Sequence, residues 1–171
     1  MSSLVPLYRE MAAGGGSFRG LSILQHKAEI AALVRKHKAK TLLDYGCGAG
    51  EAWREPHRLH RELGLRWFDV QLHDPAFKAH DEPPHGRVDG VLCSDVLEHV
   101  PEDELDELVG TLYRHARLFI WASVCCRPAK KLFPDGVTNL HVTLHPLEWW
   151  RDLFDKHGGK SAVEVVLTET P

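Results

Sequence analysis

The sequence predicts an α/β fold with a doubly wound, largely parallel sheet, and three observations carry that expectation. Residues 40–50 read KTLLDYGCGAG, a short apolar run that ends in an acid and passes into glycines at alternate positions. Three further runs, Trp67–His73, Val88–Cys93 and Arg117–Val124, have the near-continuous hydrophobicity of strands covered on both faces. Segments of helical periodicity lie between or beside them, at 23–38, from Glu102 onward and from Pro146 onward.

Composition narrows the function classes. With 171 residues and 43% hydrophobic content, the chain can build one real core, so a single domain over 23–171 is expected behind an N-terminal arm, 1–22. A net charge of −3 gives no overall field to recruit nucleic acid. The four cysteines, Cys47, Cys93, Cys125 and Cys126, have no C-x-x-C spacing, which is the usage of a reduced, cytoplasmic protein. The opening MSSLVPLYREMAAGGG lacks a signal-peptide pattern, and no apolar run approaches the ~18 residues of a membrane span, so no membrane partner is expected.

In chain order, Gly14-Gly15-Gly16 reads as a hinge, either of a frayed end or of a lid that carries Phe18 and Arg19 over a ligand. Ile23, Leu24, Ile30, Leu33 and Val34 form the buried stripe of a helix over 23–38, with Ser22 as N-cap. Pro56 interrupts the region after the glycine turn, leaving a short helix from about His57 to Leu63 that Gly64 ends. His57 and His60 lie on it without a third ligand and read as solvent-exposed.

The second strand, Trp67–His73, delivers Asp74 and Pro75 to the edge where Asp44 ends the first. Adjacent strands of a doubly wound sheet open on one crevice, and an acid there can accept ribose hydroxyls. Only 13 residues separate Asp74 from Val88, and Pro83-Pro84 and Gly86 make them a loop, so a third strand and its helix are absent or rudimentary. Phe77 and Asp81 in this loop are candidates for contacting a ligand in that crevice. The next strand runs into Ser94-Asp95-Val96-Leu97-Glu98-His99, ahead of a helix striped by Leu105, Leu108, Val109 and Leu112. The stretch after Val124 is long and rich in turn formers, and can roof a site. A helix over 146–154 and one closing strand, Ala162–Leu167, complete the chain.

The glycine turn discriminates between cofactors. A dinucleotide fingerprint is G-x-G-x-x-G, whereas here Glu51 stands where the last glycine belongs. D-x-G-C-G-x-G from Asp44 to Gly50, with Asp74 and the S-D-V-L-E-H run from Ser94 to His99, resembles the class I S-adenosylmethionine-dependent methyltransferases, here a small member. The resemblance covers roughly residues 17–157. It implies a Rossmann-like sheet, trimmed in its third strand and helix and in its closing hairpin, with S-adenosyl-L-methionine as cofactor. The expected cofactor-binding residues are Asp44, Gly46, Cys47, Gly48, Asp74, Pro75, Ser94, Asp95, Val96, Phe18 and Arg19, with Arg19 facing the methionyl carboxylate.

It further implies methyl transfer to O, N or S. The acceptor, chosen by exclusion, is a small molecule or a sugar. The N/D-P-P-Y/F motif of DNA enzymes is absent, and so are the paired glutamates of arginine methyltransferases and the aspartate set of a magnesium site, so no metal is expected. Asn139, His141 and Thr143 resemble the N-x-H-x-T/F segment of several small members, which makes His141 the first candidate base and His99 the second, with Asp95 as orienter. Two other classes fit in part: a non-catalytic module that binds the cofactor or its demethylated product, and, less well, an NAD-type oxidoreductase. Incomplete sheet edges suggest a homodimer.

Overall fold

The structure is a computed structural model that describes residues 3–15, 18–159 and 161–170. Five strands form one sheet in the order β2-β1-β3-β4-β5, every neighbouring pair parallel. These are β1 (Leu42–Tyr45), β2 (Val70–His73), β3 (Val88–Ser94), β4 (Ala116–Val124) and β5 (Glu164–Glu169). The doubly wound expectation holds, and the third strand is absent. The closing strand, expected at 162–167, lies two residues further on and pairs parallel with β4.

Alternation along the strands builds two cores. Leu42, Leu92, Phe119 and Trp121 face α2 (Lys27–His37) and α3 (Leu59–Glu62). Leu43, Val91, Cys93, Ile120 and Ala122 face α4 (Glu102–His115) and α5 (Leu147–Gly158). With successive side chains on opposite faces, a run such as FIWA in β4 feeds both cores, which is why no polar alternation marked it. Of the adjacent tryptophans, Trp150 is fully buried, while Trp149 stacks on His145 with ring centroids 3.8 Å apart.

Several boundaries moved. The first predicted helix begins as a 3-10 turn, Ser22–His26, before α2, and Ser22 does not cap it; its hydroxyl meets that of Ser94 at 3.2 Å. Trp67–Asp69 is also a 3-10 turn, closed by Arg66 and Asp69, so β2 is shorter than expected. His60 is buried rather than exposed, because its short helix packs edge-on against Trp67. An N-terminal helix, α1 (Val5–Ala13), was not foreseen, although Pro6 sits at its first turn. Of the predicted hinge, Gly16 lies outside the described residues, as does Ser17.

Candidate functional site

The chain leaves β1 toward β2 on one side and later adds β3 on the other, so the crevice between them is the topological switch point of the sheet. A cavity of about 690 Å³ opens there, at the C-terminal ends of β1, β2 and β3. Small-molecule sites span about 300–1,000 Å³. Of the residues expected to bind cofactor, Phe18, Arg19, Gly46, Gly48, Asp74, Pro75, Ser94, Asp95 and Val96 line it, as do Phe77, Asp81 and His99.

Asp44 and Cys47 do not line the cavity. Asp44 is buried behind the glycine turn and accepts the Trp53 indole N–H at 2.6 Å, so it secures the turn from within. Burial pushes its carboxyl up to about 7, against the Trp53 hydrogen bond and with the help of Asp74. Arg19 lines the cavity but does not hold its charge free for a ligand carboxylate: the guanidinium grips Glu51 Oε2 with two bonds, 2.9 and 2.6 Å. That pairing holds the Arg19 guanidinium up and the Glu51 carboxyl down from their usual ranges.

The glycines serve the chain as well as a ligand. The Phe18 and Arg19 carbonyls face the turn and accept from the N–H groups of Ala49 (2.9 Å) and Glu51 (3.1 Å). A Cβ on Gly48, at φ +57°, would overlap the Phe18 carbonyl oxygen, and one on Gly20, at φ +72°, would overlap that of Cys47. The alternate-glycine spacing therefore lets the arm lie directly on the turn.

Asp74 braces this construction. One carboxylate oxygen accepts Gly48 N–H at 2.8 Å and the other Ala76 N–H at 2.9 Å, an Asx-type turn; burial raises its pKa and these bonds oppose the rise. Asp95 closes the end of β3 in a left-handed conformation, φ +53°, and accepts the Ser123 hydroxyl (2.9 Å) and the Thr170 hydroxyl (2.5 Å). The C-terminal strand thus reaches the site.

On the far wall, the segment 97–99 makes one 3-10 turn, and the loop after β4 folds back onto it. Thr143 N–H donates to Glu98 O at 3.1 Å and its hydroxyl to Val100 O at 2.7 Å. This loop places the His141 ring edge-on to His99, centroids 4.9 Å apart, while His141 stays off the cavity wall. His99 Nδ1 lies 3.0 Å from Leu140 O and His141 Nδ1 2.5 Å from Arg127 O. A carbonyl only accepts, so each Nδ1 carries a proton, which leaves Nε2 as the atom of each ring that can offer a lone pair. Burial and the neighbouring His141 push His99 down to about 4. Glu98 is fully buried; one oxygen accepts Cys125 N–H at 2.9 Å and the other has no partner. Burial and Asp95 push its carboxyl up to about 8.

Tyr8, which sequence reasoning passed over, closes the cavity from α1. Its hydroxyl is 3.1 Å from His99 O and 3.0 Å from Leu140 O, and its ring meets Phe18 and Phe133. The Val5–Tyr8 spacing of one helical turn was the available signal. Arg9 of the same helix donates to Pro75 O at 2.6 Å, which ties α1 to the loop after β2.

A parallel α/β sheet with a glycine turn and a cavity at its switch point is the build of a class I methyltransferase. The chain belongs to that family: the methyltransferase-domain model matches residues 22–160. No curated protein and no solved structure matches the chain. No helix among the described residues is long and apolar enough to cross a membrane.

Proposed function

We propose that this methyltransferase uses S-adenosylmethionine and methylates O, N or S of a small molecule or sugar. The observation that carries the reading is the switch-point cavity, walled by the glycine turn, Asp74 and the end of β3. Its fit to the cofactor rests on the donors present. A dinucleotide pyrophosphate needs free N–H groups at a helix N-terminus. Here the turn is followed by a single 3-10 turn, Glu51–Trp53, and the Ala49 and Glu51 N–H groups are already bonded to the arm. Carboxylates of Asp74, Asp81, Asp95 and Glu107 instead line the cavity, as a cationic ligand requires.

When bound, S-adenosylmethionine supplies a methyl group already activated on a sulfonium. The chain's task is then to position and to exclude water. Ser123 and Thr170 fix the Asp95 carboxylate toward the cavity rim, and Phe77 offers its ring to a base. Tyr8 and Phe18 cover the mouth, so the arm over 1–22 acts as a lid that opens to admit ligands. His99, on the cavity wall, offers its Nε2 lone pair to the proton of an acceptor, and His141 stands behind it as the second base. A cytoplasmic setting suits the four free cysteines, and a net charge of −3 suits a small acceptor better than a nucleic acid.

Thermal-shift titration with S-adenosylmethionine, S-adenosylhomocysteine and NAD tests the cofactor. Stabilisation by the first two is expected, and stabilisation by NAD alone overturns the reading. Formation of S-adenosylhomocysteine with a panel of hydroxyl, amine and thiol acceptors then separates an enzyme from a binding module.

A further inference from the structure

The geometry points to a site for a divalent first-row transition-metal ion, held by Glu98, His99 and His141 beside the cavity. Each of the three offers one donor atom, and these lie within 4.8 Å of one another. Such an ion takes N and O ligands at about 2.0–2.2 Å, so the donors need only draw together around it. His141, half-buried on the loop, is the group free to do so.

Three independent features single this cluster out from the other histidines. Glu98 is fully buried, yet one of its carboxylate oxygens has no hydrogen-bond partner, while the other is held by Cys125 N–H. A buried, unpaired carboxylate oxygen is costly, and coordination of a cation removes the cost. Both imidazoles donate Nδ1–H to a backbone carbonyl, of Leu140 and Arg127, which fixes the tautomer with Nε2 as the ligating atom. That is the outer-shell arrangement metal-bound histidines need. The backbone around the donors is also pinned, since Thr143 bonds to Glu98 O and Val100 O, so the loop that carries His141 is docked on the turn that carries Glu98 and His99.

Two imidazoles and one carboxylate select an ion of the manganese-to-zinc series over magnesium or calcium, which prefer oxygen alone. Three protein ligands leave positions open for an outside group. His99 lines the cavity, so that group can be a hydroxyl of the acceptor, which the ion would make more acidic. This last step rests on the methyl-transfer reading; the metal site does not. It also reassigns His99 and His141, whose lone pairs are then committed to the ion, from bases to ligands.

Cobalt(II) is the probe. Metal-free protein titrated with it should show visible d–d absorption that saturates at one equivalent and is displaced by zinc. Glu98→Gln and His141→Ala should each weaken binding at least tenfold, whereas His57→Ala and His157→Ala, on unrelated surfaces, should not. Retained circular dichroism is required of each variant; if Glu98→Gln does not fold, His141→Ala on its half-exposed loop decides. Absence of one-to-one saturation, or binding unchanged in His141→Ala, overturns the site, and absorption lost equally in His57→Ala marks adventitious histidine binding and overturns it too. Cofactor affinity is measured separately, so failure here and failure of the methyl-transfer reading are distinct results.

Discussion

Asp44 illustrates how one side chain can hold a loop from behind. In the unfolded chain its carboxyl titrates near 4, whereas in the folded chain burial places it at about 7. Over that window the folded state keeps a proton that the unfolded state has released. The stability tied to this group is therefore complete below about pH 4 and is lost as pH rises through about 7. The loss is a few kcal/mol at most. Asn at this position can still accept the Trp53 N–H, and it does not ionise. Urea unfolding of Asp44→Asn at pH 5 and pH 8 should show a smaller drop between the two than the parent protein. An equal drop would mean that the proton is not held at Asp44.

At the scale of elements, the helix α1 and the loop after β4 form one cover, joined at His99. Tyr8 is the joint: its hydroxyl reaches the carbonyls of His99 and Leu140, from the 3-10 turn and the loop respectively. Tyr8→Phe keeps the ring contacts and removes the hydrogen bond, so a global loss of about 1 kcal/mol is expected. Hydrogen exchange should rise together in 5–13 and 139–143 while β1, β3 and β4 stay protected. A rise confined to 5–13 would show that helix and loop move independently. This cover is also where the sequence was least legible. The strands announced themselves because burial on both faces demands unbroken apolar runs, and the glycine turn because its backbone needs positive φ at Gly46, Gly48 and Gly50. His141 is marked by its N-x-H-x-T run, but Tyr8 and Glu98 lie on two other elements, and no local pattern tells a buried glutamate with a free oxygen from a helix-capping one. The ion pair of Arg19 was hidden for a related reason: its partner, Glu51, is 32 residues away and meets it only once the arm lies on the turn.

At the scale of the whole molecule, the trimmed sheet has closed one of its edges with what remains. Beside β2, where a third strand would pair, the loop 75–87 runs instead. Gln71 bonds to His85 twice, through its amide N–H at 3.1 Å and its carbonyl at 2.9 Å, and His73 Nδ1 meets Glu82 O at 2.9 Å. Side chains thus supply part of the ladder, which covers an edge expected to be open for dimerisation. The other edge is β5, and it does more than cover β4. Thr168 bonds to Glu29 of α2, Glu29 also accepts the Trp121 indole N–H, and Glu164 holds Lys36 and His37. One residue beyond the strand, Thr170 N–H donates to Val124 O and its hydroxyl to Asp95 Oδ1. The chain's last strand therefore fixes both an edge and the strained residue at the cavity rim. Thr170→Val separates these roles, since it keeps the shape and the backbone bond but removes the hydroxyl. Global stability should fall by only about 1 kcal/mol, while ligand affinity at the cavity should fall by about tenfold as Asp95 loses one of its two side-chain donors. Calorimetry with S-adenosylhomocysteine beside urea unfolding makes the comparison. If affinity falls no further than stability, β5 serves the edge alone and Ser123 suffices to orient Asp95.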